Sequence, residues 1–325
     1  MIVPIFTLTA RFALLTLLVT AAVTGAVSGV ARAAQRPLPP LLYASNSRLY
    51  LFETNCADWL AICAGRDQML LENLNQGFPV AQWSPDGAFI AVYTNDGWMI
   101  YRVECVLAGG ECEPTLLSPD ANDVRIAWGP DGSAIAYRSD PQGRSLSIIT
   151  RGCWDSLSAC LTQQVLASNL AISQPDWSRD GGWLAFITLP INTDIYIMDI
   201  ACLDRPLGCI QSSQLAAGGL YSELWPSLSA DGSALVYAVG AANITDQLFL
   251  HSLNSGETRQ LTFRNADSTQ PDWSADDRYI AYAGFAEDGV GLLDVYVMDL
   301  PRGIHVRLVR NPDRDMFPNW GPLPQ

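Results

Sequence analysis

The sequence predicts an all-β fold, a six-bladed β-propeller whose ring is closed by pairing strands from the two ends of the chain. Three observations point to it: a tryptophan-and-turn unit recurring every 45 to 51 residues, a pair of short β-branched and aromatic runs after each turn, and chain ends that supply complementary parts of one blade. The units are Trp83-Ser84-Pro85-Asp86-Gly87, Trp128-Gly129-Pro130-Asp131-Gly132, Trp177-Ser178-Arg179-Asp180-Gly181, Leu228-Ser229-Ala230-Asp231-Gly232, Trp273-Ser274-Ala275-Asp276-Asp277 and Trp320-Gly321-Pro322.

Each unit is a hairpin by its own chemistry. Pro presets φ for the second position of a type I turn, and Gly follows where the chain turns left-handed. The next run is a buried strand, as in Phe89-Ile90-Ala91-Val92-Tyr93 or Tyr279-Ile280-Ala281-Tyr282. A further strand follows, as in Asp194-Ile195-Tyr196-Ile197-Met198-Asp199 or Asp294-Val295-Tyr296-Val297-Met298-Asp299. Residues 41 to 75 hold three strands with no tryptophan strand before them, Leu41–Ala44, Arg48–Phe52 and Gln68–Leu71. Phe317-Pro318-Asn319-Trp320 is a tryptophan strand with nothing after it. Joining them completes a sixth blade and leaves no open sheet edge.

Residues 41–325 therefore form the propeller, and a chain of 325 residues with 49% hydrophobic content has core enough for it. Before it, Phe12 to Ala31 is apolar or small throughout, Arg11 precedes it and Ala31-Arg32-Ala33 offers a small-x-small cleavage pattern. Residues 1–33 read as an export signal, or as a membrane anchor if uncut, and residues 34–40 as a Pro-rich linker. Membrane contact is expected only through residues 12–31, and only without cleavage.

Eight cysteines fall in four pairs of identical spacing: Cys56 with Cys63, Cys105 with Cys112, Cys153 with Cys160, and Cys202 with Cys209. Each pair follows the second run of its blade, where the two cysteine-free blades make short turns at Asn254-Ser255-Gly256 and Pro301-Arg302-Gly303. The expectation is one disulfide per pair, each contributing about 2 to 3 kcal/mol in a non-reducing compartment. A zinc site would need four ligands converging, whereas these pairs lie in four blades with only His251 and His305 to assist.

At Pro175-Asp176-Trp177-Ser178 and Pro271-Asp272-Trp273-Ser274, followed by Asp-Gly turns, Ile-Ala-Tyr and Ile-Tyr-x-Met-Asp, the chain resembles the TolB-type, WD40-like propeller repeat family over about residues 41 to 322. That resemblance implies the fold. It spans periplasmic TolB, the propeller gates of prolyl-oligopeptidase-like enzymes and many exported bacterial proteins. The sequence departs from the first in having no α/β domain before the propeller, and from the second in having no Gly-x-Ser-x-Gly elbow.

No catalytic set, cofactor-binding loop or metal motif is read from the sequence. His251 and His305 have no spaced Ser or Asp partner, and neither a phosphate-cradling Gly loop nor a calcium loop is found. The expectation is that the chain is not an enzyme and needs no cofactor. With 33 acidic and 19 basic residues, it is not expected to bind nucleic acid. The repeat tryptophans are read as packing between blades, and Asp86, Asp131, Asp180, Asp231 and Asp276 as turn residues.

Propellers host function at the channel mouth and on the loops of one face. The innermost strand starts just before each tryptophan, so Gln174, Asp176, Gln270, Asp272 and Asn319 are the candidate partner-binding residues; their other role is pairing backbone groups at the strand entrance. The loops Arg138–Ser145, Thr188–Thr193, Ala238–Asp246 and Ala283–Leu293 are a second candidate surface. The function expected is that of an exported binding or scaffold protein, periplasmic, extracellular or anchored facing outside, for a protein or envelope polymer. The alternative is an exported carbohydrate-binding protein or enzyme with its site in loops at the channel mouth.

Overall fold

The structure, a computed structural model, describes residues 38–323 except 54–65, 75–78, 119–120, 122, 156–159, 169, 190–192, 205–212, 242–243, 287–291 and 310. The export segment, residues 34–37 of the linker, and Cys56, Cys63 and Cys209 lie outside the described residues. Among these described residues no helix is long and apolar enough to cross a membrane.

The chain begins with β1 (Leu41–Ser45), β2 (Arg48–Glu53) and β3 (Arg66–Leu71). Blade 1 is β4 (Ala81–Trp83), β5 (Phe89–Thr94), β6 (Gly97–Arg102) and β7 (Thr115–Leu116). Blade 2 is β8 (Ala127–Trp128), β9 (Ala134–Arg138), β10 (Ser145–Thr150) and β11 (Thr162–Ala167). Blade 3 is β12 (Ala171–Trp177), β13 (Trp183–Leu189), β14 (Asp194–Asp199) and β15 (Gln214–Ala217). Blade 4 is β16 (Ser222–Leu228), β17 (Ala234–Ala241), β18 (Ile244–Ser252) and β19 (Thr258–Gln260), and blade 5 is β20 (Ser268–Trp273), β21 (Tyr279–Phe285), β22 (Leu293–Asp299) and β23 (Ile304–Arg307).

The last strand, β24 (Asp315–Trp320), returns to the start of the chain and gives the closing sheet β24-β1-β2-β3. Leu41 faces Trp320 and Ser45 faces Asp315 across this antiparallel pair, and the Gly321 N–H donates to Pro40 O at 2.7 Å. Six four-stranded sheets in a ring make a six-bladed β-propeller, as the repeat predicts.

Tryptophan strands of successive blades stand side by side around the axis, while outer strands such as β3 and β7 are largely exposed. The apolar core is divided among the junctions. Leu42, Leu51, Trp83 and Ile90 fill the one between the closing blade and blade 1, and Leu41, Tyr43, Tyr279, Val297 and Trp320 the one between blade 5 and the closing blade. Trp320 is fully buried. A ring that size removes about 200 Å² from water, worth about 5 kcal/mol before the entropy of ordering it.

In four of the blades the turn after the inner strand is built around a buried serine. Ser84 Oγ accepts the Phe89 N–H at 2.9 Å and donates to Asp86 Oδ1 at 2.6 Å; Ser178 with Asp180, Ser229 with Asp231, and Ser274 with Asp276 repeat the arrangement. The aspartates are turn residues, and the serines beside them are the hubs. At blade 5 Asp277 takes the glycine position with φ +56°, and its carboxylate reaches the Ala230 N–H of blade 4.

Two disulfides, Cys105–Cys112 and Cys153–Cys160, bridge the link between the third and fourth strands of blades 1 and 2. Cys202 is also disulfide-bonded. These links carry helical turns, Val103–Ala108, Gly152–Asp155 and Ile200–Asp204, where the cysteine-free blades make short turns. The cysteine-free blades turn at Gly256 and Gly303, both with φ near +70°.

Candidate functional site

The five candidate residues all lie on inner strands around the channel, and each holds the neighbouring strand. Asp176 Oδ2 accepts the Leu228 N–H at 2.7 Å, Asp272 Oδ2 the Trp320 N–H at 2.8 Å, and Asn319 Oδ1 the Trp83 N–H at 2.8 Å. Gln174 Oε1 accepts from Trp225 at 2.7 Å and Gln270 Oε1 from Phe317 at 2.9 Å. Every bond crosses from one blade to the next. The residue before the tryptophan position thus acts as a latch, and Ser227 (to Trp273 N–H, 3.3 Å) continues the series. Gln82 occupies the same position in blade 1, and its long bond goes to the Ile126 N–H at 3.4 Å.

Four inner strands bulge just before the latch. In β12, β16, β20 and β24 the register slips by one around Gln174, Trp225, Gln270 and Phe317, and each of these has φ between +51° and +56° with proline next. Bulky L-residues enter the left-handed region at a cost of about 1 to 3 kcal/mol, so this backbone is held there by its surroundings. The glutamines of blades 3 and 5 fix the N–H groups of Trp225 and Phe317. Those two rings, from blades that are not adjacent, meet at 5.6 Å between centroids and 60° between planes. An aromatic pair therefore stands at the end of the channel where the inner strands begin.

Below it the channel centre is charged. Arg125, with its side chain 7% exposed, donates to Pro226 O at 2.8 Å and lies 3.3 Å from Asp176 and 3.7 Å from Asp272. Burial pushes the Asp176 carboxyl up to about 6 in spite of Arg125, and raises Asp272 for the same reason; burial lowers Arg179 at the same channel. On blade 2, Asp123 accepts the Gln174 N–H at 2.8 Å and the Ser173 hydroxyl at 2.7 Å. The space left is small. One cavity of about 20 Å³ lies among Arg125, Trp225, Gln270 and Phe317, and another of about 60 Å³ among Asp176, Arg179, Asp272 and the tryptophans. Small-molecule sites measure about 300 Å³ or more, so these two cavities among the described residues have room for waters rather than a ligand.

Sequence reasoning singled out neither Arg125, Asp123, Gln82, Ser227, Trp225 nor Phe317. The last two had a signal: they occupy the same pre-proline position as Gln174 and Gln270. The two histidines are not at the channel. His251 Nδ1 is 2.8 Å from Thr258 Oγ1 on the neighbouring strand, and His305 Nδ1 is 2.9 Å from the Tyr282 hydroxyl. Asp299, fully buried, fixes its loop through the Arg302 N–H and side chain. Of the four candidate loops only Arg138–Ser145 is wholly described; parts of the other three fall outside.

No family model matches the chain. Among solved structures, TolB from Acinetobacter baumannii superposes with a TM-score of 0.66 at 16% identity, covering 96% of this chain and 73% of that one. The fold is that of the TolB propellers. A chain of the nidogen/laminin complex matches with a TM-score of 0.60 at 12% identity, covering 86% of this chain and 97% of that one. At such identities these matches speak for the fold alone.

A curated relative, the uncharacterized peptidase YuxL of Bacillus subtilis (strain 168), is 26% identical over 231 residues, 67% of this chain and 31% of its own length. The chain spans less than a third of that relative. Its name overturns the expectation that the chain is not an enzyme. That expectation rested on missing motifs, and catalytic groups assembled from residues far apart in sequence leave no local motif to find.

Proposed function

We propose that the chain acts outside the cytoplasm as a binding module that holds a protein partner on the face where the inner strands begin. One observation carries the reading: exposed apolar side chains of blades 3, 4 and 5 lie on that face, where the Trp225–Phe317 pair also stands. Leu170, Leu220 (89% exposed) and Tyr221 immediately precede inner strands, while Ile244 opens the third strand of blade 4 and Leu292 precedes that of blade 5. Antiparallel alternation puts the starts of first and third strands on one face. Apolar side chains collected on one face of a soluble fold mark an interaction surface, and the narrow channel favours a partner that covers the mouth over a ligand that enters it. A propeller of the same fold occurs in the nidogen/laminin complex. The bonded cysteines support an oxidising compartment.

The test is capture from envelope extracts with the exported form, with Leu220→Ser/Tyr221→Ser, and with Leu161→Ser. Leu161 is 64% exposed and precedes a fourth strand, so it lies on the opposite face. One defined protein retained by the original and by Leu161→Ser, lost with the double variant and rebound when purified, is the expected result. Capture that survives the double variant removes the proposal, and retention of a glycan instead of a protein moves it to an envelope polymer.

The peptidase relative favours a second reading, in which the propeller serves a peptidase and this face meets its peptide substrates. Retention of a peptide panel by the purified chain, lost in the Leu220→Ser/Tyr221→Ser variant, is the outcome that would support it.

A further inference from the structure

Carboxylates stand in pairs at three successive blade junctions, on the face where the inner strands begin. Asp194, opening the third strand of blade 3, lies beside Glu223 on the inner strand of blade 4. Asp267, just ahead of the inner strand of blade 5, accepts the Asp246 N–H of blade 4 through Oδ1 at 2.9 Å. Asp294 in the third strand of blade 5 lies beside Asp315, the first residue of the closing inner strand. This last pair has a cation from within the chain, with Arg307 Nη2 2.6 Å from Asp294. Arg307 faces Tyr296 in the outer strand pair of blade 5; the residues facing the matching aromatics, Tyr196 of blade 3 and Phe249 of blade 4, are Leu215 and Gln260. Where one junction has an arginine, the other two have neutral residues.

Those two junctions are short of positive charge. No ion pair reaches Asp194, Glu223, Asp246 or Asp267 among the described residues. Arg264, three residues before Asp267, bonds the Phe285 carbonyl and lies over the Tyr296 ring. Glu223 is 6% exposed, and its Oε2 has no hydrogen-bond partner among the described residues. Thr193, whose carbonyl accepts the Glu223 N–H at 2.8 Å, has a buried hydroxyl that is likewise unbonded. Burial and then the Asp194 charge push the Glu223 carboxyl up to about 7, and burial and then Asp267 raise Asp246. Like charges held together in a poorly hydrated place are relieved by an incoming cation. Asp194, Asp246 and Asp267 are half-buried, so they remain within reach of one.

The same acids adjoin the exposed apolar side chains. Gly218, two residues before Leu220, comes so close to Asp194 that a Cβ there would stand 2.7 Å from its Oδ1, and Ile244 precedes Asp246 by two residues. We propose that the protein partner of this face presents lysine or arginine side chains set among apolar ones, the bases on Asp194, Asp246 and Asp267 and the apolar groups over Leu220, Tyr221 and Ile244. This inference rests on the partner face proposed above and adds the chemistry of what it holds. A second copy of the chain, acidic on the same face, would be repelled, as would an anionic lipid surface.

Calorimetric titration of the full chain with three acetylated hexapeptide amides tests this, in which leucine alternates with arginine, glutamine or glutamate. Each partly exposed ion pair is worth about two- to threefold, so the arginine peptide should bind about tenfold more tightly than the glutamine peptide, and the glutamate peptide most weakly. Asp194→Asn/Asp246→Asn/Asp267→Asn should erase that tenfold difference. Glu104→Gln/Glu113→Gln/Glu257→Gln removes three exposed charges from the opposite face and should preserve it, which separates the site from the general pull of a chain of formal net charge −14. Arginine and glutamine peptides that bind alike, or not at all, overturn the proposal, as does a tenfold difference that survives the Asn variant. Calcium chloride that saturates the chain and is lost in the Asn variant, with the peptides alike, makes the pairs a metal site instead. If the peptides bind alike and both are lost in Leu220→Ser/Tyr221→Ser, the partner face stands and only its charge selectivity falls. The peptide contrast uses the unaltered protein and Asp246→Asn alone should narrow it about twofold, so failure of the triple variant to fold leaves the test intact.

Discussion

The inner strand of blade 2 and those of the other five blades come from one repeat but end differently. Before the tryptophan position the five carry Gln82, Asp176, Ser227, Asp272 and Asn319, and each accepts an N–H from the following blade. Blade 2 has Ala127 there, and Arg125, two residues earlier, occupies the channel between Asp176 and Asp272. A ring latched by carboxylates brings like charges towards its own axis, where the low dielectric makes repulsion expensive. The exception to the repeat supplies, together with Arg179, the positive charge that offsets them.

The largest effect should follow from undoing that exception. Arg125→Gln leaves Pro226 O without its donor and two buried carboxylates with Arg179 as the remaining cation, and losing one partner of a buried charge cluster costs about 3 kcal/mol. Urea unfolding at pH 7 measures it. The loss should shrink near pH 5, because Asp176 is already pushed up to about 6 with Arg125 present and protonates more readily without it. An equal loss at both pH values would mean that Arg125 acts by packing and not by charge.

A carboxylate outside the latches sharpens the contrast. Glu223, at the start of the inner strand of blade 4, is buried beside Asp194, and burial first and that charge second push its carboxyl up to about 7 from its ordinary 4.5. The folded chain therefore binds this proton more tightly than the unfolded chain, and stability falls as pH rises from about 4.5 to about 7. Glu223→Gln should remove that slope and stabilise the protein at pH 8 by up to about 3 kcal/mol, since holding the carboxyl up costs about 1.4 kcal/mol for every tenfold change in its proton affinity. Thermal unfolding across this range checks it; a slope unchanged in the variant would assign it to Asp176 and Asp315, which burial also raises to about 6.

The repeat made the blades, the closure and the position of the candidate residues legible, because turn chemistry and strand alternation are local. Their work was less so. Asp176 and Asp272 read from the sequence as partner ligands or as backbone acceptors, and the choice depends on which N–H groups lie across a junction about 50 residues away. Arg125 gave no signal, since it lies in the one repeat that departs from the pattern. Trp225 and Phe317 were visible only by aligning pre-proline positions, and their meeting over the channel required the ring to be closed.

Two latches then separate the strong junctions from the weak one. Asp272→Ala removes an acceptor held at 2.8 Å by Trp320 and bonded by the Asn319 amide, and leaves a buried N–H at the seam where the two chain ends join. A cost of about 2 kcal/mol follows from an unsatisfied buried donor, less the relief of repulsion with Asp176. Gln82→Ala removes a neutral acceptor 3.4 Å from the Ile126 N–H, at the edge of hydrogen-bond geometry and on a strand without the bulge. Its cost should stay near 0.5 kcal/mol, roughly a quarter of the other. Matched urea midpoints for the two variants make the measurement. Equal losses would show that the latch position counts for the same at every junction, and that the left-handed bulge before Asp272 adds nothing to the hold one blade has on the next.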